Sequence, residues 1–497
     1  MRTVCQRGQP RTGIRWLLKL CAAGLLGACV HVAPTPGAAD STSPDFVLSA
    51  CTWQRLVGVW RSVGYNRLIE IRPDDWTLYH VSTISRIAVE RLLPAHFAER
   101  YDRIRCNDPN RLVLFEVGGI TPYSYTRVAP TGSATYQIDQ PDVNARLDDP
   151  KTNLAVFWQY FQDNYAFFRA APVAVDWVAI GTALDARIAQ VQSTENLRTA
   201  FEDAIRHLKD AHVRLIEGGR QIAVSVPLQD HSFVTEWART ENIDVPNVAR
   251  GEIFRRFRQA VRDYVSCLTH EPAARIDLQQ NLRHGWLTAE IAYIAPLAFV
   301  GLTAKVAGSA EDDRLAMHAA MQNVLRDLRS AKGIVVDLRF NGGGHDSVAL
   351  ELVGFFLERP MHVFTKQVWY AGRVVSETPI VLTPSTDAPY RGALAVLVSN
   401  TTASAAEIAL LAFRQRPQVR FVGQQSKGVL SDSLPAQLPN GWEVTLSNEI
   451  YTTPQGERYE RVGIPVGVET PPSINGSWRA GLDVSLAAAL RELSQMR

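Results

Sequence analysis

The residues best suited to chemistry sit at two strand ends. The apolar run Leu394–Val398 ends in small hydroxylated residues, SNTTASAAE, and passes at once into a helix-like segment, Ala405–Ala412. Ser404 therefore falls where a buried strand meets a helix N-terminus. A hydroxyl there can serve as a nucleophile, because the unpaired N–H groups of the first helical turn face any oxyanion developing beside it. The same position also suits an ordinary N-cap serine. Upstream, Gly333–Gly344 reads GIVVDLRFNGGG, a β-branched apolar strand followed by three glycines. Gly342, Gly343 and Gly344 permit a tight turn with outward-pointing N–H groups. No Lys-Ser/Thr pair follows them and the GxGxxG spacing is missing, which argues against nucleotide binding. Asp337 and Arg339 flank Leu338 and can brace the loop by pairing.

DLRFNGGG, SNTTASAAE, FVGQQSKG and LPNGWEVTLSNEIYTTPQGERYERVGIPV follow in that order. This series resembles the core of the tail-specific and tricorn-type serine peptidases, the S41 or C-terminal-processing group, over Asp149–Glu469. The resemblance implies an α/β layered peptidase core (ClpP/crotonase-like), without cofactor or metal, acting on peptides or unfolded protein tails. It also implies that Ser404 is the nucleophile, with an oxyanion hole made by the N–H of Ala405 and of Gly343 or Gly344.

A serine hydroxyl needs a proton acceptor. One branch of the family places a Lys in the block that reads GQQSKGVLS here. Val429 stands at that place, and Lys427 lies two positions earlier. Two residues in a strand keep the same face but shift the side chain by about 7 Å. Lys427 is therefore the alternative base, and a solvated strand-end lysine its plainer reading. The tricorn-like and interphotoreceptor-retinoid-binding-protein-like branch uses a His instead. LKDAHVRL, Leu208–Leu215, resembles its block and nominates His212, a side chain suited to proton transfer near neutral pH. That branch has a Ser before the His, where this chain has Ala211. YERVGIPV resembles the block carrying the third member, which maps to Glu460. The structural alternative for Glu460 is a loop ion pair with Arg458 or Arg461. His345, next to the glycines, competes as base by proximity but lies on the oxyanion side. The resulting expectation is a Ser404–His212–Glu460 mechanism. A non-catalytic relative binding apolar ligands or peptides in the same cleft is the alternative. An esterase is a third reading, disfavoured by the missing G-x-S-x-G elbow.

The elements that must position these residues are legible in outline. Short runs such as LVGVWRSV, RLIEIRP, WTLYHVS, RLVLFEV and YSYTRVA predict a small antiparallel β module over 45–135. Its Gly58-Val59-Trp60 resembles lipocalin-like modules. PDVN, Pro141–Asn144, reads as linker. Helical spacing then predicts a cap segment over 145–215, ending in the His block. Residues 216–282 read as an insertion of unclear fold, with a charged helix around Glu252–Cys267 and no PDZ signature. The α/β core is expected over 283–497, where strand and helix patterns alternate.

With 497 residues and a formal net charge of +2, the chain is long enough for several domains and carries no basic block beyond its N-terminus. Nucleic acid is a poor partner for it. Basic residues, a short apolar stretch and small residues predict a signal over 1–39 and export to the periplasm or cell envelope. Leu26-Gly27-Ala28-Cys29 resembles a lipobox, so Cys29 is a candidate for lipidation and a membrane tether; cleavage after Ala39 competes. In an oxidising compartment Cys51 and Cys106, which bracket the β module, are the expected disulfide. Cys267 is then left over and is expected to be buried and reduced.

Overall fold

The computed structural model describes residues 51–128, 149–169, 174–188, 191, 193–226, 232–245, 250–305, 308–471 and 483–496. The signal segment with Cys29 and the PDVN linker lie outside them.

The N-terminal module begins with α1 (Trp53–Leu56), β1 (Gly58–Ser62), β2 (Arg67–Ile71), β3 (Trp76–Val81) and β4 (Arg86–Leu92). It continues with α2 (Ala95–Arg100), β5 (Tyr101–Asp108), β6 (Arg111–Glu116) and β7 (Pro122–Arg127). The strands form one antiparallel sheet in the order β4-β3-β2-β1-β7-β6-β5. β4 (RIAVERL) and β5 (YDRIRCND) were not among the expected runs. Charged residues interrupt both, and Ile87 is the one residue of β4 that is buried, so neither reads as an apolar segment. Trp60, Trp76, Phe97 and Tyr101 fill the module's core. Trp60 donates to the Leu56 carbonyl at 2.7 Å, and Arg127 stacks on its ring. Cys51 and Cys106 are disulfide-bonded, with Cα atoms 6.0 Å apart. Cys267 stands outside that disulfide and is half-buried, not buried as expected.

The cap comprises α3 (Pro150–Asn164), α4 (Trp177–Ile188) and α5 (Thr194–Arg206). Asp149 caps α3 through the Thr152 N–H at 2.8 Å, with Pro150 opening the helix. Ser193 caps α5 in the same way. Their apolar faces form a core with Leu434, Trp442, Val444 and Leu446 of the C-terminal half.

Next come β8 (Arg214–Glu217), β9 (Arg220–Val224), α6 (Ser232–Thr240), α7 (Arg250–Leu268), β10 (His270–Asp277), β11 (Leu282–Trp286) and β12 (Ile291–Pro296). Then follow α8 (Ala310–Asp327), β13 (Gly333–Asp337), α9 (Asp346–Gly354), β14 (Met361–Tyr370), β15 (Arg373–Leu382), β16 (Ala393–Val398) and α10 (Ala405–Phe413). The chain closes with β17 (Val419–Gly423), β18 (Ser433–Gln437), β19 (Glu443–Ser447), β20 (Glu449–Thr452), β21 (Val468–Glu469) and α11 (Val484–Gln495).

The main sheet runs β10-β11-β12-β13-β16-β17-β21, parallel from β12 onward. β12, β13 and β16 are buried along their whole length, as parallel strands covered on both faces must be. One face packs on α8, α9 and α10; the other packs on α7 and α11. A second sheet runs β18-β19-β8-β9 and a third β15-β14-β20.

The segment 216–282 is therefore not a separate insertion. β9 joins the second sheet through β8, β10 and β11 extend the main sheet, and a boundary at 283 would cut β11. Strand edges left unpaired would expose backbone N–H and C=O groups, and pairing with core strands satisfies them.

Candidate active site

Four loops meet at the C-terminal ends of the parallel strands, the usual place for a site in an open α/β sheet. After β16, the Ala403 N–H donates to the Asn341 carbonyl at 3.2 Å, joining the serine turn to the glycine loop. After β12, the Phe299 N–H donates to the Gly343 carbonyl and the His345 N–H to the Phe299 carbonyl. After β17, the Ser404 N–H reaches the Val429 carbonyl at 2.9 Å and the Lys427 N–H the Thr402 carbonyl at 2.9 Å. Below the rim, Arg339 and Asp337 form a buried bidentate pair, and Arg339 also reaches Asp483 at 2.9 Å.

Ser404 has φ 56° and ψ −130°. An ordinary N-cap residue is extended, so this conformation is not what capping alone requires. Backbone strain of this kind is held only where the surroundings impose it, and it concentrates at functional turns. The surroundings here are close. A Cβ on Gly343 would lie 2.7 Å from Ser404 Cβ and 3.0 Å from the Ala405 nitrogen, so only glycine fits against the serine. Glu407, fully buried in the first turn of α10, accepts from the Ser404 N–H at 3.1 Å and from Ser426 Oγ at 2.6 Å. It also accepts from the N–H groups of Gly428 and Val429 at 2.7 and 2.8 Å. One carboxylate thus clamps the 426–429 loop onto the serine turn. The sequence placed Glu407 inside a quoted motif but gave it no task.

Gly343 and Gly344 separate as oxyanion candidates. The Gly343 N–H donates to Asn341 Oδ1 at 2.8 Å and is spent within the loop. Gly344 is bridged to Phe299 through the Gly343 carbonyl and the His345 N–H, which leaves its own N–H out of that bridge.

His212 lies just before β8. Pairing of β8 with β19 brings it to the core: Thr445 opposes Arg214, and Thr445 Oγ1 donates to the His212 carbonyl at 2.5 Å. The His212 N–H donates to Asp210 Oδ1 at 2.8 Å, while Asp210 Oδ2 accepts from Tyr165 Oη at 3.1 Å. Burial pushes the His212 imidazole below its ordinary 6.5. The charge of Asp210 opposes that, Arg214 adds to it, and Asp432 and a hydrogen bond with the Ser431 backbone oppose it again. The ring lies beside the 431–432 segment, with its Nδ1 buried and without a hydrogen-bond partner.

Glu460 does not hydrogen-bond His212. Its Oε2 accepts from the N–H groups of Leu430 and Ser431, both at 2.8 Å. It braces the segment that touches His212, instead of orienting the ring directly. Burial pushes its carboxyl well above the usual range, and the charge of Asp210 adds to this. Of the two arginines that offered a structural alternative, Arg461 donates to the carbonyls of Phe167 and Leu208, and Arg458 to Gln367. Among the described residues no hydrogen bond joins Ser404 to His212. Catalytic hydrogen bonds are often long in unliganded sites and tighten with substrate. Val429 is buried beside Ser404, while Lys427 is half-buried. His345 starts α9 on the glycine side, half-buried, with its pKa lowered by burial.

No group of His, Cys, Asp and Glu side chains among the described residues could hold a metal ion. No helix among them is long and apolar enough to cross a membrane.

Residues 291–470 match the model of peptidase family S41. It is 26% identical over 172 residues to a carboxy-terminal-processing protease of Bartonella bacilliformis, covering 33% of this chain and 38% of the relative. It is 29% identical over 171 residues to a carboxyl-terminal-processing protease of a Picosynechococcus species, covering 34% of this chain and 39% of the relative. The chain thus spans about two fifths of the length of the curated relatives it matches. A solved structure of a candidate peptidase from Parabacteroides merdae superposes with a TM-score of 0.53 at 19% identity. It covers 70% of this chain and 97% of that one, a likeness of fold.

Proposed function

We propose that the protein is an exported serine peptidase that cleaves peptides or unfolded protein tails. The observation that carries this reading is the strained Ser404, backed by Gly343 and set at the start of α10. Ser404 Oγ attacks the scissile carbonyl as His212 takes its proton. The tetrahedral oxyanion is met by the N–H groups of Ala405 and Gly344, with Gly343 giving room for the approach. His212 then returns the proton to the leaving amine, and water repeats the cycle on the acyl-enzyme. For this, His212 closes onto Ser404 when substrate fills the rim. Glu460 acts through the Leu430–Ser431 backbone, and Asp210 holds the His212 backbone and keeps its imidazole basic. The layered core is read as ClpP/crotonase-like, and residues 1–39 as its export signal, with a tether through Cys29 if the lipobox is used.

The test is hydrolysis of a denatured protein substrate by purified wild type and Ser404→Ala, compared by mass spectrometry. Wild type is expected to cleave, and the variant to lose several orders of magnitude in rate. Equal cleavage by both removes the serine mechanism.

A further inference from the structure

Lys366, in the middle of β14, is 1% exposed, yet it carries a charge that the serine chemistry does not use. Burying an ammonium is costly unless it is paired and hydrogen-bonded. Its Nζ has three partners: Asp432 at 2.7 Å, Glu449 at 2.9 Å and Thr121 Oγ1 at 2.5 Å. Thr121 belongs to the N-terminal module, from the turn before β7. A second residue of that module enters the same cluster. Tyr65, in the turn between β1 and β2, is buried and donates to Glu449 Oε1 at 2.6 Å. Further contacts fix the docking. The Gln437 N–H donates to His80 Nδ1 at 2.9 Å, and a Cβ on Gly64 would strike Val368.

The cluster borders the rim. Asp432 directly follows Ser431, whose N–H is held by Glu460 and whose backbone meets His212. Ser431 Oγ accepts from the Glu449 N–H at 3.1 Å, a second link between the cluster and this turn. We propose that the N-terminal β module is a working part of the catalytic site: Tyr65 and Thr121 complete the pocket of Lys366, and Lys366 positions the Ser431–Asp432 turn against His212. The module is then a docked support, without which the turn that carries the base's environment has no anchor. This rests on the reading of His212 as the base.

Burial raises Asp432, and the charge and hydrogen bond of Lys366 are what hold it down. Lys366 likewise opposes the rise that burial imposes on Glu449 and on Asp346, whose carboxyl is pushed up to about 8 and accepts from Tyr451 Oη at 3.1 Å. When Lys366 loses its charge, Asp432 moves up and takes a proton more readily. His212 is influenced by Asp210 and Arg214 on its own segment and by Asp432 across the turn, and the charge of Asp432 is among those that raise it. A less ionised Asp432 supports the imidazolium less, so the His212 pKa falls.

The test uses the full chain with selectively labelled histidine. In Lys366→Met, the His212 titration followed by NMR is expected to move down by about one unit. In Tyr65→Phe/Thr121→Val, which deletes two buried hydroxyl contacts, kcat on a peptide is expected to fall about tenfold at unchanged KM, through misplacement of the turn. If Lys366→Met does not fold, Lys366→Gln removes the same charge with a polar side chain and carries the titration. A folded uncharged variant with an unmoved His212 titration overturns the proposal, as does a folded double variant with wild-type kcat. If the wild type hydrolyses nothing, the peptidase reading fails separately, and the titration still decides the coupling.

Discussion

Asp210→Asn isolates the electrostatic support of the proposed base, His212. The buried Asp210 carboxylate accepts from the His212 N–H and from Tyr165 Oη, and its charge is the main influence raising the His212 pKa against burial. An opposite charge within hydrogen-bonding range typically shifts a pKa by about 1–3 units. Asparagine keeps the side-chain shape and one acceptor oxygen, so the local fold survives at a cost of about 1–2 kcal/mol. The substitution also lowers the Glu460 pKa, because Asp210 helps to raise it, and a more ionised Glu460 offsets part of the effect on His212. A net downward shift of about one unit, or about 1.4 kcal/mol, is the expected result. The acid limb of the kcat/KM profile should move down by that amount, and the plateau should fall because a less basic imidazole is a weaker proton acceptor. Stability should respond with a defined sign. His212 is lowered in the fold relative to its ordinary 6.5, so the unfolded chain binds more protons in the window just below 6.5. His212 therefore makes the protein lose stability as pH falls through that window, and Asp210→Asn should widen the loss. Peptide cleavage from pH 4 to 9 and urea unfolding at two pH values measure both. A limb that stays still or moves up would refute the placement of His212.

Two further outcomes are expected. Cys51→Ser/Cys106→Ser should destabilise the β module by about 4 kcal/mol in the chain-entropy model, given a separation of 55 residues, read by thermal melting of oxidised protein. Both thiols found free by mass spectrometry would remove that claim. Lys427→Ala should leave kcat and the acid limb unchanged, since the backbone N–H that joins the serine turn survives the substitution; a dead variant would reinstate Lys427 as base.

Much of the site was legible because its parts lie in short contiguous motifs. The strand ending at Val398, the small turn and the helix from Ala405 are written in consecutive residues, and so is the glycine loop. The helix before His212 carries an alternating apolar face and a serine cap. What the sequence withheld depends on pairings between distant segments. Nothing near His212 says that β8 will lie on β19, or that Asp432 will be its charged neighbour. Lys366 lies in a strand of mixed character, MHVFTKQVWY, that does not announce its burial. Its burial follows from Tyr65 and Thr121, hundreds of residues upstream. Glu460 was singled out by its motif, but its hydrogen bonds to the Leu430 and Ser431 backbone were not, because a motif specifies a position and not its contacts. β4 and β5 were missed because charged residues interrupt both, so neither shows a sustained apolar pattern.

The most direct measurement is covalent labelling. A fluorophosphonate loses fluoride to a serine whose hydroxyl is activated by a base, at a site where the reagent's own phosphoryl oxygen meets oxyanion-binding N–H groups. Digestion and mass spectrometry of the treated full-length protein should place the adduct on the peptide containing Ser404. The adduct should vanish in Ser404→Ala and slow strongly in His212→Ala. Labelling on another residue, or equal labelling of Ser404 without His212, would contradict the account.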